Sequence, residues 1–175
     1  MAELYPASLA FIVFLLLQRG AELILARRNT RRLLARGAVE HGAGHYPLIV
    51  AMHAAWLLAI CVWGWNNPVH WGWLAAFALL QAIRVWVLAS LGSRWTTRII
   101  VLDEPLVMRG PYRWIAHPNY AVVVAEILVA PMVLGLWPVA AAFTVLNALV
   151  LKIRIDAESR ALQGLRQPRP GAARG

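Results

Sequence analysis

Residues 46–91 read YPLIVAMHAAWLLAICVWGWNNPVHWGWLAAFALLQAIRVWVLASL. This segment contains two apolar runs, Tyr46–Trp65 and Trp71–Leu91, and each has the length of roughly 20 residues that a helix needs to cross a bilayer. The connector between them carries no Lys or Arg, and two Trp residues lie on each side of it, at positions 63, 65, 71 and 73. Trp is enriched at membrane interfaces. The segment therefore predicts a pair of transmembrane helices.

The composition of the whole chain also indicates an integral membrane protein. Of its 175 residues, 61% are hydrophobic and 14% are charged. A soluble domain is about half apolar and about a quarter charged, so this chain has too few polar side chains to cover a water-facing globule. The single cysteine, Cys61, excludes a disulfide-rich class.

The basic residues, which give a net charge of +9, alternate between connectors. They form three groups: Arg27, Arg28, Arg31, Arg32 and Arg36; then Arg94, Arg98, Arg109 and Arg113; and, after the last apolar run, Lys152, Arg154, Arg160, Arg166, Arg169 and Arg174. This alternation is typical of the positive-inside rule. It predicts an N-terminus outside the cytoplasm, a cytoplasmic C-terminus and no nucleic-acid partner.

Five apolar segments are predicted within a single all-α membrane domain over residues 1–162. They span residues 4–26, 46–65, 71–91, 120–137 and 138–162. Only a few residues around Gly135 separate the last two, which predicts a tight helical hairpin. The apolar part of the fifth segment, Pro138–Ile153, is the short one. Residues 163–175 are rich in Gly, Pro and Arg, and we expect them to be disordered.

Polar residues inside the membrane runs are few. An acid such as Glu126 costs about 2.5–3.5 kcal/mol at the bilayer centre, so we expect it to have a partner or a task, and Arg84 is a candidate partner. Arg19 and Glu22 are three residues apart and could pair on one helix. The chain's histidines match no strong metal-ligand signature, so no metal site is predicted.

Most of the polar chemistry lies in two stretches on the predicted cytoplasmic side. The first, WTTRIIVLDEPLVMRGPYRWIAHPNY, spans residues 95–120, and Pro118 places His117 in the turn before the fourth helix. The alternative is a loop anchored by prolines, with Tyr and Trp at the interface. The second stretch ends the fifth helix, where Asn147, Leu151, Arg154 and Glu158 share one face. The alternative here is a surface ion pair between Arg154 and Glu158, which would contribute at most about 0.5 kcal/mol.

Together, GPYRWIAHPNY and RIDAESRAL resemble the isoprenylcysteine carboxyl methyltransferase family of membrane enzymes, over residues 94–162. That family has a GxY segment, an RHPxY motif that opens a membrane helix, and an RxxxE pattern beyond a helical hairpin. The longer stretch RWTTRIIVLDEPLVMRGPY is similar to a bacterial branch associated with type III polyketide synthases. The chain departs from the family pattern at Ala116, Val122 and Ser159, and we expect these departures to affect substrate identity more than cofactor binding.

The resemblance implies an S-adenosylmethionine-dependent O-methyltransferase of the bacterial inner membrane. Its acceptor would be a lipophilic molecule with an acidic oxygen, a carboxylate or an enol or phenol hydroxyl, such as an alkylpyrone-type polyketide lipid. The resemblance implies that the cytoplasmic connector and the hairpin bind the cofactor. The implied residues are Glu104, Pro105, Leu106, Val107, Tyr112, His117, Pro118, Asn119, Tyr120 and Glu158. Arg154 would orient the acceptor. The alternatives are carboxyl methyl esterification of isoprenylcysteine, or a small membrane transporter or assembly protein without enzymatic activity.

The predicted topology can be tested with reporter fusions. A reporter at Asn67, in the uncharged connector, and one at the C-terminus should report opposite sides of the membrane, because three predicted spans lie between these two positions. Reporters on the same side would contradict the arrangement of five segments.

Overall fold

A computed structural model describes residues 5–105 and 107–166. Its main elements are five helices: α1 (Pro6–Ala35), α2 (Tyr46–Gly64), α3 (Trp71–Leu91), α4 (Pro118–Val133) and α5 (Trp137–Arg166). In the described part of the chain, α1, α2, α3 and α5 are long and apolar enough to cross a membrane, and α4 is shorter. The predicted all-α integral membrane fold is confirmed.

The lengths of three helices differ from the prediction. The short helix is α4, with 16 residues, whereas α5 continues for 30 residues through its charged end. α4 begins at Pro118, before the predicted start at residue 120, but it is capped at Leu134, just before Gly135 turns the chain with a φ of 69°. α1 continues past residue 26 to Ala35, through Arg and Leu residues that favour helix. The expected disordered tail is wrong for residues 163–166, which are helical, and residues 167–175 lie outside the described residues.

A small antiparallel sheet, absent from the prediction, joins the two long connectors. Strand β1 (Val39–His41) pairs with β2 (Ile99–Val101), with Glu40 opposite Ile100. Arg98 Nη1 lies 2.7 Å from Glu40 Oε1, and this pairing raises the pKa of the Arg98 guanidinium. The sheet therefore ties residues 36–45 to residues 92–117, which together form what we call the connector end of the bundle.

At the opposite end, the loop between α2 and α3 caps the hairpin between α4 and α5. The last carbonyls of a helix have no partner within the helix. Here the backbone N–H of His70 donates to the Val133 carbonyl (2.8 Å), and Asn67 Nδ2 donates to the Leu134 carbonyl (2.9 Å). The end of α4 is thus fixed against the α2–α3 pair.

A proline inside α4 leaves one backbone carbonyl in the core free to accept a hydrogen bond from another helix. Pro131 lies inside α4 and has no N–H, so the carbonyl of Ile127, four residues earlier, loses its helical donor. The indole of Trp56, which is fully buried, donates to that carbonyl from α2 at 3.3 Å. Trp56 and Ile127 belong to the cluster of buried apolar side chains between the helices. α2 is thereby joined to the middle of α4.

We expect Trp56→Phe to destabilise the protein, because it removes this bond and leaves the Ile127 carbonyl without a partner. The bond should contribute about 0.5–1.5 kcal/mol. In a Pro131→Ala background the new N–H of residue 131 can bond the same carbonyl, so Trp56→Phe should cost less there. Thermal unfolding of the four proteins in detergent measures both penalties. An equal penalty in the two backgrounds would refute the pairing.

Candidate functional site

The hydroxyl of Tyr120 joins α4 to α5 at the connector end. Tyr120 lies in the first turn of α4, and its hydroxyl donates to Glu158 Oε2 and accepts from Arg154 Nε at 2.9 Å. Arg154 and Glu158 are one turn apart on α5 and do not pair directly, so the alternative of a surface ion pair is wrong. The exposed neighbours Lys152 and Asp156 point elsewhere, as the helical spacing predicts.

Two further groups lie against the Tyr120 ring. The imidazole of His117 stacks on it, with ring centroids 5.1 Å apart and planes 11° from parallel. The guanidinium of Arg154 lies over it, 5.2 Å from the centroid. His117 Nδ1 is also 3.9 Å from Glu158 Oε1. Since His117 directly precedes Pro118, which begins α4, the predicted turn before the fourth helix is confirmed.

Arg154 has a second anchor that the sequence did not reveal. Its Nη1 donates to the backbone carbonyl of Thr97 at 2.8 Å. The hydroxyl of Thr97 in turn is 3.1 Å from that of Tyr46, at the start of α2. Nε and Nη1 of Arg154 are therefore occupied by the protein, and within the described residues Nη2 has no partner. This nitrogen is the one that could bind an acceptor oxygen.

Tyr112 lies in a short 3-10 turn, Gly110–Arg113, that precedes these groups in the chain. What we call the Tyr120 cluster comprises Tyr112, His117, Tyr120, Arg154 and Glu158. Gly110 has a φ of 58°, and a Cβ there would meet Ser90 Oγ at 2.1 Å, so the turn packs tightly on α3. The Tyr112 hydroxyl is buried and has no hydrogen-bond partner in the described structure. Burial, together with the charge of Glu158, raises the pKa of Tyr112, so the hydroxyl remains a protonated donor. Buried donors are rarely unpaired, and this one is available to a ligand.

The described bonds of Glu104 and Pro105 are with arginines outside the Tyr120 cluster. Glu104 forms salt bridges with Arg36 and Arg94, and Arg94 Nη1 donates to the Pro105 carbonyl at 2.5 Å. Pro105 and Val107 line an open cavity of about 520 Å³. Leu106 is outside the described residues. No described bond joins this segment to Tyr120.

The predicted site residues thus fall into a cluster and a separate segment. The structure brings together Tyr112, His117, Tyr120, Arg154 and Glu158. Asn119 lies beside them, and its Oδ1 accepts a hydrogen bond from Trp95 Nε1 at 3.3 Å. Sequence reasoning missed Tyr46, Trp95 and Thr97. The last two stand in the WTTR stretch, where aromatic and hydroxyl residues beside a membrane helix were the available signal.

Comparison with known proteins identifies the family. The model of the Isoprenylcysteine carboxyl methyltransferase (ICMT) family matches residues 73–164, more than half of the chain and all of the Tyr120 cluster. The chain belongs to this family. It is therefore a membrane methyltransferase by class, and the enzymes of this family use S-adenosylmethionine.

Two curated relatives extend the similarity beyond the matched region. Uncharacterized protein YpbQ of Bacillus subtilis (strain 168) is 42% identical over 159 residues, which cover 87% of this chain and 94% of the relative. An uncharacterized protein of Haemophilus influenzae is 24% identical over 155 residues, covering 84% and 90%. Neither name states an activity, and no solved structure gives a significant match. Because the similarity to YpbQ covers 87% of the chain, it extends before residue 73 and includes α2 and at least part of α1.

Tyr112→Phe should separate ligand binding from stability. Removing a buried hydroxyl that has no partner should leave the unfolding temperature unchanged or slightly raised. If the hydroxyl meets the cofactor, the affinity for S-adenosylhomocysteine should fall about tenfold, since a hydrogen bond left unmade in a complex costs on the order of 1–1.5 kcal/mol. Calorimetry and thermal unfolding of the same preparation provide the two values. Unchanged affinity would remove Tyr112 from the site.

Proposed function

We propose that the protein transfers the methyl group of S-adenosylmethionine to an acidic oxygen of a lipophilic acceptor. The observation that supports this most strongly is the Tyr120 hydroxyl between Arg154 and Glu158, because it unites the two motifs on which the family resemblance depends. Family membership supports the reaction class. The nature of the acceptor is our inference from the residues around Arg154.

The residues of the cluster fit the cofactor's chemistry. When bound, S-adenosylmethionine supplies an electrophilic methyl group on a positively charged sulfonium. Glu158 offers a carboxylate to the cofactor's positive groups, and the stacked rings of His117 and Tyr120 offer faces for a cation or an adenine. The unpaired Tyr112 hydroxyl offers a donor. These groups bind and orient, and positioning alone can supply much of the acceleration of a displacement.

Arg154 is suited to hold an anionic acceptor oxygen. Its guanidinium is fixed by Tyr120 and Thr97, which leaves the Nη2 edge for the ligand. The residue lies where α5 passes from its apolar part to its charged end, so an acceptor could keep its hydrocarbon chain in the membrane and present its head group at this level. A carboxylate or an acidic enol arrives already ionised, and the proposed reaction then requires no base.

We place the connector end on the cytoplasmic side of a bacterial inner membrane. The excess of Arg in the two long connectors supports this orientation. The cofactor would then enter from the cytoplasm, and the acceptor from the bilayer. An alkylpyrone-type lipid fits the class of acceptor, and a prenylcysteine is the comparison substrate for the test below.

Substitutions on α5 should affect the two ligands differently. Arg154→Ala should reduce turnover by at least about a hundredfold while the affinity for S-adenosylhomocysteine stays near wild type, since the lost contact is to the acceptor. Glu158→Gln should mainly weaken that affinity. Arg154→Lys should restore little, because an ammonium cannot reproduce the planar grip of a guanidinium. The assay is tritium transfer from labelled cofactor to an extractable lipid, with an alkylpyrone and with a prenylcysteine analogue.

Lys152→Ala and Asp156→Asn provide matched controls. Both residues lie on the same helix within two positions of a test residue, and both are exposed. We expect both controls to keep wild-type turnover and affinity. Wild-type activity of the Arg154→Ala and Glu158→Gln variants on both acceptors would refute the proposed site. Labelling of the prenylcysteine alone would refute the alkylpyrone as acceptor.

A further inference from the structure

A network of charged and amide side chains lies within the membrane-spanning part of the bundle, apart from the Tyr120 cluster. Its centre is Glu126 of α4, which is fully buried. Glu126 Oε2 lies 2.6 Å from Arg84 Nη1 of α3 and 2.9 Å from Arg19 Nη2 of α1. Its Oε1 accepts from Gln81 Nε2 at 2.8 Å. One carboxylate on α4 therefore holds two other helices.

Glu22 of α1 completes the network. Glu22 Oε2 is 2.9 Å from Arg19 Nη1 of the same helix, and Arg84 donates to both carboxylate oxygens of Glu22. Two guanidiniums and two carboxylates thus neutralise each other. Such a group is stable in a low-dielectric interior only while each charge keeps its partners, so the network fixes how α1, α3 and α4 lie against each other.

A second polar connection between α1 and α4 lies at the connector end. Asn29 Nδ2 of α1 donates to the Trp95 carbonyl at 2.8 Å, and the indole of Trp95 donates to Asn119 Oδ1 of α4 at 3.3 Å. Glu22 precedes Asn29 by seven residues, and Glu126 follows Asn119 by seven. The two helices are antiparallel, and seven residues of helix span about 10.5 Å. The two connections are therefore compatible with a single alignment of α1 against α4.

We propose that Glu126 is a positioning residue for the methyl-transfer site. Its ion pairs set the depth of α4 against α1 and α3, and with the Asn29–Trp95–Asn119 connection they form a two-point clamp. Against α1, one connection alone would let α4 pivot, whereas two connections set two turns apart fix its position relative to that helix. Tyr120 lies six residues before Glu126, so the clamp determines where the Tyr120 hydroxyl meets Arg154 and Glu158.

The clamp gives the front helix a role in the reaction. Arg19, Glu22 and Asn29 all precede residue 73, where the match to the family model begins. No described bond joins them to a residue of the Tyr120 cluster, yet they hold α4 in its position against α1. The proposal rests on the proposed function only in naming methyl transfer as the activity that depends on this position.

The test compares three variants on α4. Glu126→Gln leaves the network with an uncompensated guanidinium, and Glu126→Asp keeps the charge but withdraws it by one methylene. Ile127→Ala, at the next buried position, is the matched control, because it creates a cavity without touching the network. We expect Glu126→Gln to weaken S-adenosylhomocysteine binding on the order of tenfold at a temperature where all variants are folded. Glu126→Asp should lie between this variant and wild type, and Ile127→Ala should lose thermal stability but keep its affinity.

A distance measurement tests the position of α4 without the cofactor. Spin labels at Arg28→Cys and Ala121→Cys, both exposed positions, report the separation of the connector ends of α1 and α4 in a Cys61→Ala background. We expect Glu126→Gln to shift or broaden this distance and Ile127→Ala to leave it unchanged. If wild-type protein binds no S-adenosylhomocysteine, the proposed function fails, and the distance alone decides the clamp. An unchanged distance in Glu126→Gln, or an equal change in Ile127→Ala, would overturn the proposal.

Discussion

The arrangement of the helices depends on the need to pair charges that lie inside a membrane. A single carboxylate at the bilayer centre costs about 2.5–3.5 kcal/mol, and the remedy is a partner on a neighbouring helix. Glu126 finds two guanidiniums, one on α1 and one on α3. Apolar packing alone would leave many rotations of these helices nearly equal, because lipid is as apolar as a leucine side chain. The paired charges select one of them.

The sequence predicted the helices well because the bilayer sets a simple rule of length and hydrophobicity. The sequence predicted the ends of the helices less well, because hydropathy alone does not mark where a helix stops. The apolar run through Trp137 concealed the end of α4 at Val133, and the Gly, Pro and Arg content after residue 162 concealed the last four residues of α5. Strands β1 and β2 are three residues long, too short for an alternating pattern, and they pair across about 60 residues of chain.

The grouping of His117, Tyr120, Arg154 and Glu158 was predictable, because these residues stand in one motif or on one helical face. The contacts that complete it were not, since they depend on how distant segments meet. The Thr97 carbonyl that holds Arg154 comes from the backbone, and a backbone group carries no sequence signal. Glu104 was assigned to the cofactor by resemblance alone. Its described contacts are salt bridges with Arg36 and Arg94 and not with the Tyr120 cluster.

The hydrogen bonds of Tyr120 have a chemical consequence for the proposed reaction. The Tyr120 hydroxyl donates its one hydrogen bond to Glu158 and accepts one from Arg154. It therefore stays protonated between the two side chains and is not free to act as a base. Glu158 accepts that proton's hydrogen bond, and its other oxygen faces His117. Tyr120 therefore bonds both Glu158 and Arg154. An acceptor whose oxygen must first be deprotonated could not use the Tyr120 hydroxyl as its base, whereas one that is ionised in water would bind Arg154 ready to react. Selectivity for acidic oxygens would then follow from the charge of Arg154, which favours an anion, and a neutral alcohol with the same hydrocarbon chain should not be methylated.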